Sequence, residues 1–381
     1  MIANFRGGFI ALAVGLIGFS SASNVLAVPT PDELKNASPF DKLDGRKMTP
    51  IERAMLPDAA VAVVTIEEGS VLSCAFSTDG KLATGTDKGT VVLWDLTGVT
   101  PKEIGKLKVP NVNGHVERLV FTPDGKRIVV SLNGMAYVWE ITETGGKPFD
   151  AKMIGRIEGL AVSPDGKLIA AGANLGYLLE IGAKTLVPLP GQMQGAQSNY
   201  TFSHDGSLFA SVFFQPARNG NLYGSEVKFW KLTKNRPTEF NIVQLDSTIK
   251  SLALSSDLKL MATGSLDNQV RIWDITGNKP EIKAKMASPK WIRNLAFTKD
   301  GAYLVAFSSG ADIILYDVAK GEAYKSWEFK PQQNSDFATG AMYLLFSASA
   351  LAPDGKHAAF SNNTAKTVIL RLPVKEEGKK K

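Results

Sequence analysis

Residues 71–96 read VLSCAFSTDGKLATGTDKGTVVLWDL. An apolar run (71–76) leads into an Asp-Gly turn, a second apolar run, a polar turn and a third run that ends in Trp94-Asp95. Asp-Gly permits the positive φ angles that tight hairpins need, so the stretch predicts three short antiparallel strands. The unit is poor by itself. Its strands are apolar on both faces, and three strands cannot cover either face, so something must stack on each side.

The rest of the chain supplies the stacking partners by repetition. Ser77-Thr78-Asp79-Gly80 aligns with Thr122-Pro123-Asp124-Gly125, Ser163-Pro164-Asp165-Gly166, Ser203-His204-Asp205-Gly206, Ser255-Ser256-Asp257-Leu258, Thr298-Lys299-Asp300-Gly301 and Ala352-Pro353-Asp354-Gly355. The Asp-to-Asp spacings, by subtraction of residue numbers, are 45, 41, 40, 52, 43 and 54. A period near 40–45 residues is that of a β-propeller with four strands per blade. The third strand of the unit ends in Trp94-Asp95, Trp139-Glu140, Trp230-Lys231, Trp273-Asp274 and Tyr316-Asp317, with Leu179-Glu180 and Leu370-Arg371 in the same place. These residues resemble the WD-repeat family over roughly Ala59 to Pro373. The resemblance implies that the repeat is offset from the blade and that the first strand of the chain completes the last blade. Ala60-Val61-Ala62-Val63-Val64 is a lone strand before the first unit, and no strand follows Val368-Ile369-Leu370. The expectation is an all-β, seven-bladed propeller over 59–373, closed by pairing its two ends, which protects the edges of an open array.

The 381 residues are 44% hydrophobic and 21% charged, an ordinary globular composition. Residues 1–27 stand apart. Arg6 precedes an apolar segment (GGFIALAVGLIGF), and Val25-Leu26-Ala27 suits signal peptidase, so cleavage after Ala27 and export to the periplasm, cell envelope or medium are expected. An uncleaved anchor is the alternative, although the apolar core is short for a span of about 20 residues. Residues 28–58 read as an N-terminal extension, partly ordered against the propeller, with a short helix starting at Thr49-Pro50-Ile51-Glu52. The leader, linker and propeller together resemble exported bacterial WD-repeat proteins. The formal charge of +6 includes +2 from the tail 374–381, a composition that reads as solvated and gives no sign of nucleic-acid binding.

Chemistry-bearing motifs are sparse. Cys74 is the single cysteine, which excludes an intrachain disulfide and reads as a small buried filler. His115, His204 and His357 fall at positions that do not converge, so no metal site, catalytic group or cofactor is expected. Each Asp-Gly turn offers one carboxylate, too few for calcium. The family's His-Ser-Asp-Trp network is not carried over intact: Gly114-His115 is followed at once by Val116, and the fifth unit has Ser265, Asp267 and Trp273 but no His.

Two insertions break the spacing. One (213–224) extends the loop between second and third strands of the fourth unit, and one (331–343) lengthens the link into the seventh. Both loop types lie on one propeller face, where Phe214, Arg218, Phe337 and Tyr343 would flank the channel mouth. Counting back from the end of each first strand places His115, Arg156 and Trp291 at one level of that mouth, and Glu117, Glu158, Lys250 and Arg293 at the next. The reading is a non-enzymatic scaffold, a monomer or part of a complex, binding a protein or peptide through this face, with aromatics as anchors and charges for orientation. The mature form would have no membrane span. An exported enzyme or small-ligand binder with Glu117 and Glu158 converging in the channel is the alternative, and a structural envelope protein is a third.

Overall fold

The computed structural model describes residues 38–49, 56–172, 176–183, 186–189, 197–215, 224–233, 236–310, 312–328, 347–362 and 364–373. The leader 1–27, most of the short helix expected at 49–55, and the tail 374–381 lie outside them. The described strands form seven four-stranded antiparallel sheets. Six of these blades take their strands consecutively, with innermost strands Val71–Phe76, Val116–Phe121, Gly159–Val162, Gln197–Phe202, Ile249–Leu254 and Ile292–Phe297. The seventh joins Ser347–Leu351, His357–Asn362 and Lys366–Arg371 to Ala60–Thr65 as its outer strand. Val63 faces Val368 and Val64 faces Thr367 in that closing pair. Each innermost strand packs on the innermost strands of both neighbouring blades, so the ring is complete.

Seven apolar wedges, one at each junction between blades, take the place of a single core. Between blades one and two, for example, Val91, Leu93 and Leu107 meet Leu119, Phe121 and Ile128. The Trp at the end of a third strand faces the preceding blade. Trp94 packs with blade seven, Trp139 with blade one, Trp230 with blade three and Trp273 with blade four. Burying an indole requires a partner for its N–H. The Nε1–H groups of Trp94, Trp230 and Trp273 donate to Thr84, Ser211 and Thr263 at 3.1, 2.9 and 3.0 Å, each on the second strand of its own blade.

The Asp-Gly turn repeats at atomic level. In six blades the leading Ser or Thr hydroxyl donates to the Asp two residues on and accepts a backbone N–H from the start of the second strand, as Thr122 does with Asp124 and Arg127. Gly80 sits at φ 93° and Gly125 at 68°, a region that costs a side chain energy. In blade five Leu258 occupies that slot at φ 59°. Thr78 and Ser256 reach from their turns to the carbonyls of Pro123 and Lys299 in the next blade, both at 2.8 Å.

Blade seven has Ala352 where the others have a hydroxyl, and the chain compensates from outside the repeat. Asp354 accepts from the Ser38 hydroxyl and from His357 Nδ1, the latter at 2.6 Å. Arg371 Nε donates to His357 Nε2 at 3.3 Å, and its NH2 donates to the Asp41 carbonyl at 3.0 Å. Since Arg only donates, the His357 ring proton resides on Nδ1. Phe40, 1% exposed, inserts beside this cluster, 5.2 Å from the Phe76 ring and 5.7 Å from the His357 ring. Residues 38–44 therefore fasten the junction where the ring closes.

Two outcomes follow from this fastening. Phe40→Ala should destabilise the fold by about 3 kcal/mol, the usual cost of emptying a buried Phe site, measured by urea unfolding; an unchanged midpoint would show that the segment does not seal the junction. The second concerns acid. Burial alone would raise the Asp354 pKa, but the hydrogen bonds from His357 and Ser38 outweigh it and hold the carboxyl below its ordinary value of 3.8. A carboxyl depressed in the folded state stabilises above its unfolded pKa and loses that contribution as pH falls through the folded one. Asp354→Asn should thus lower stability at neutral pH and flatten its decline below about pH 4; parallel pH–stability curves for the two proteins would contradict this.

Candidate functional site

The innermost strands do not run regularly. In blades one, two, four, five and six a register shift near the start leaves one residue unpaired, with Val71, Val116, Gln197, Ile249 and Ile292 on one side and Ser73, Arg118, Asn199, Ser251 and Asn294 on the other. Such a bulge re-aims side chains away from strict alternation. The bulged residues include Leu72, Glu117, Lys250 and Arg293, the level that the sequence assigns to the channel.

In four of these five blades the residue after the bulge bonds to the next blade around the axis; in blade five the buried Ser251 hydroxyl does not. Ser73 Oγ donates to the Val116 carbonyl (2.7 Å), Arg118 Nε to the Glu158 carbonyl (3.1 Å), Asn199 Nδ2 to the Lys250 carbonyl (3.2 Å) and Asn294 Nδ2 to the Ser349 carbonyl (3.1 Å). Each bond runs to the next blade. In blade three this position is Gly159, and a Cβ there would stand 2.6 Å from the Tyr200 ring, so ring packing takes the place of a hydrogen bond.

Trp291 and Arg293 come together. The guanidinium carbon lies 4.7 Å from the Trp291 ring centre, in cation–π contact, and both residues are half-buried. Arg156 is an exposed residue and its NH2 pairs with Glu158 Oε1 at 2.7 Å. His115, Glu117 and Arg156 share a cleft of about 290 Å³ with Ser131, Asn133 and Ile157, between blades two and three. His115 also borders a second, more open hollow with Glu68, Asp87 and Lys88. The cleft is lined by Glu117, while Glu158 is paired with Arg156, another of its lining residues. Phe214, in the second strand of blade four, pairs through its backbone with Ser225 of the third strand. Its side chain, with Arg218, Phe337 and Tyr343, lies outside the described residues.

Arg118 was not among the residues the sequence singles out, because strict alternation would turn it away from the level of Glu117. Its side chain instead spans to blade three, with NH1 donating to the Glu117 carbonyl at 3.0 Å. Arg118 is exposed to the channel, yet protein surrounds it at longer range, and this burial lowers its pKa against the opposing influence of Glu117 and Glu158. Lys250 is lowered by burial, with Arg118 and Arg293 adding repulsion and Glu158 opposing. Arg293 is lowered to about 10, by burial and by Arg118, and stays charged at neutral pH.

Cys74 is buried and its thiol is pushed up to about 12, which makes it inert. In blade five Arg271 does the work of a turn-tying histidine: its guanidinium bonds Ser265 Oγ at 3.2 Å and Asp267 Oδ2 at 2.6 Å. Among the described residues no three His, Cys, Asp or Glu side chains group to hold a metal, and no helix is long and apolar enough to cross a membrane.

Fold and repeat define the class as an all-β, seven-bladed propeller with WD-type repeats. The model of the WD domain, G-beta repeat, matches residues 61–95 and 242–274, and this supports placing the chain in the WD40-repeat family. The chain is 22% identical to Periodic tryptophan protein 2 of Arabidopsis thaliana over 64% of its own length and 28% of that protein. It is 25% identical to a WD repeat-containing protein WDS homolog of the same plant, over 53% of this chain and 38% of the relative. It is 35% identical to Nuclear distribution protein PAC1 of Gibberella zeae over 19% of this chain and 16% of the relative. The matches thus span well under half of these eukaryotic relatives. Propellers of this class generally act as protein-interaction scaffolds and are typically non-enzymatic.

Arg118→Ala should cost about 1 kcal/mol in unfolding free energy, the net worth of an interblade hydrogen bond facing solvent, whereas Glu117→Gln should change it little. Equal midpoints for wild type and Arg118→Ala would remove the interblade tie from the account.

Proposed function

We propose that this chain is a non-enzymatic scaffold that works outside the cytoplasm and holds a protein or peptide partner on the channel-mouth face of its propeller. The observation that carries the reading is the stacked pair of Trp291 and Arg293 at the mouth. A partly exposed Trp supplies contact area at low entropic cost, and an Arg stacked on it is already oriented for an incoming acceptor. Arg156 and His115 would extend the contact over blades two and three, with Lys250, Glu117 and Glu158 setting charge register. Phe214, Arg218, Phe337 and Tyr343 would add the rim. Export rests on the leader-like sequence of residues 1–27 and the predicted cleavage after Ala27. Glu158, engaged by Arg156, gives no support to a carboxylate-pair enzyme.

Replacing Trp291 and Arg293 together by Ala should abolish partner capture from the exported fraction while shifting the thermal midpoint by no more than about 2 °C. Undiminished capture would take the face out of contention, and a collapsed fold would reassign the pair to the core.

A further inference from the structure

The cleft between blades two and three has a cause in the backbone. After the bulge, the innermost strands of blades one and five pair with Gly85 and Gly264 of their second strands. A Cβ at Gly85 would stand 2.3 Å from Val116 Cγ1, and one at Gly264 2.7 Å from Ile292 Cβ, so each glycine lets the next blade close in. In blade two this position is Ser131, paired with Arg118. The innermost strand of blade three, Gly159–Val162, has four residues and no register shift. The junction stays open as a space of about 290 Å³. Two groups in it lack partners among the described residues. Ser131 lines the cleft and is 2% exposed, yet its hydroxyl makes no hydrogen bond. A buried hydroxyl left alone is costly, so it points to something that completes it. Glu117, on the bulge, has a carboxylate with neither ion pair nor hydrogen bond. Arg118 beside it spends Nε and NH1 on the carbonyls of Glu158 and Glu117. Arg156, the other charged group at the cleft, is answered by Glu158 at 2.7 Å.

We infer that this cleft receives a lysine side chain of the protein partner, with the ammonium on the Glu117 carboxylate and the Ser131 hydroxyl. An ammonium has three donors and no acceptor, so it suits a site whose unused groups, a carboxylate and a hydroxyl oxygen, accept. Ile157, 2% exposed, offers the methylene stem an apolar wall. The volume holds one long side chain and excludes a helix or a folded surface. The inference rests on the scaffold reading and gives the partner a chemistry: a basic residue seated at blades two and three, apart from the stack of Arg293 on Trp291.

The test is fluorescence anisotropy with labelled tri-lysine on the full-length protein at about 50 mM salt. The chain carries a formal charge of +6, so diffuse attraction does not favour a cationic probe. Saturable binding is expected, weakened about tenfold by Glu117→Gln and about threefold by Ser131→Ala. Glu68→Gln, in the neighbouring hollow, should leave it unchanged. Tri-lysine with acetylated side chains should not bind. Equal binding of the acetylated probe, or affinity unmoved by both Glu117→Gln and Ser131→Ala, would overturn the inference. A loss in Glu68→Gln as large as that in Glu117→Gln would overturn it too. The acetylated comparison needs only wild-type protein, so it decides even where a variant fails to fold. Calcium that displaces the probe better than sodium at equal ionic strength would assign the cleft to a metal ion and also overturn it. If tri-lysine fails to bind while capture of a partner still depends on Trp291, the lysine occupant is wrong and the scaffold reading stands. Glu117-dependent binding in a protein whose Trp291 variant captures as well as wild type would keep the cleft and remove the Trp291 face.

Discussion

A blade of this propeller is apolar on both faces, and no blade can cover itself. Ile128 and Val130 of blade two turn toward blade one, while Val129 and Val138 of the same blade turn toward blade three. Burial of apolar area is the dominant favourable contribution to folding, and here it is available only across junctions. Seven sheets therefore need seven junctions, and the seventh exists only if the two ends of the chain meet. The pairing of Ala60–Thr65 with Lys366–Arg371 supplies backbone hydrogen bonds at that point, and Phe40 with Leu43 supplies the apolar seal.

Positions that hold the ring are chemically uniform, and positions that face the lumen are not. Six of seven turns use a Ser or Thr hydroxyl with an Asp, and the third-strand aromatics bury against the preceding blade. The bulged residues vary from Leu72 through Glu117 to Lys250 and Arg293. Stiffness of the frame and variety at the bulge belong together. A regular, closed ring fixes the backbone, so a charged side chain at the bulge is presented at a defined place, as Arg293 is over the Trp291 ring. The residue after the bulge contributes to that rigidity by bonding to the next blade, as Ser73 and Asn294 do.

Much of the fold was legible because the repeated residues have local reasons for their places. Asp-Gly turns demand a positive φ at Gly, and six of the seven have one; the seventh, with Leu258, keeps the same conformation. The burial of Cys74 followed from its position among apolar neighbours. Less legible were features that depend on other blades. Arg118 carries no repeat signal, and only the bulge turns it around the axis to the Glu158 carbonyl of the next blade. Arg271 stands in for a histidine through a guanidinium long enough to reach Ser265 and Asp267 from the third strand. Phe40 lay in a Pro-rich extension with no periodicity to mark it as core.

The sequence by itself determined the number of blades, the turn chemistry and the closure of the ring by its two ends, because each of these follows from a period that alignment detects. The tertiary structure alone decided which charges meet. Arg118 reaches the Glu158 carbonyl of the next blade and Arg293 lies over the Trp291 ring because bulges in the innermost strands re-aim side chains that strict alternation would turn elsewhere. The same holds for Asp354, whose hydrogen bonds come from Ser38 and His357: a contact between the beginning and the end of the propeller has no local signal, since neither segment can form it until the circle is shut.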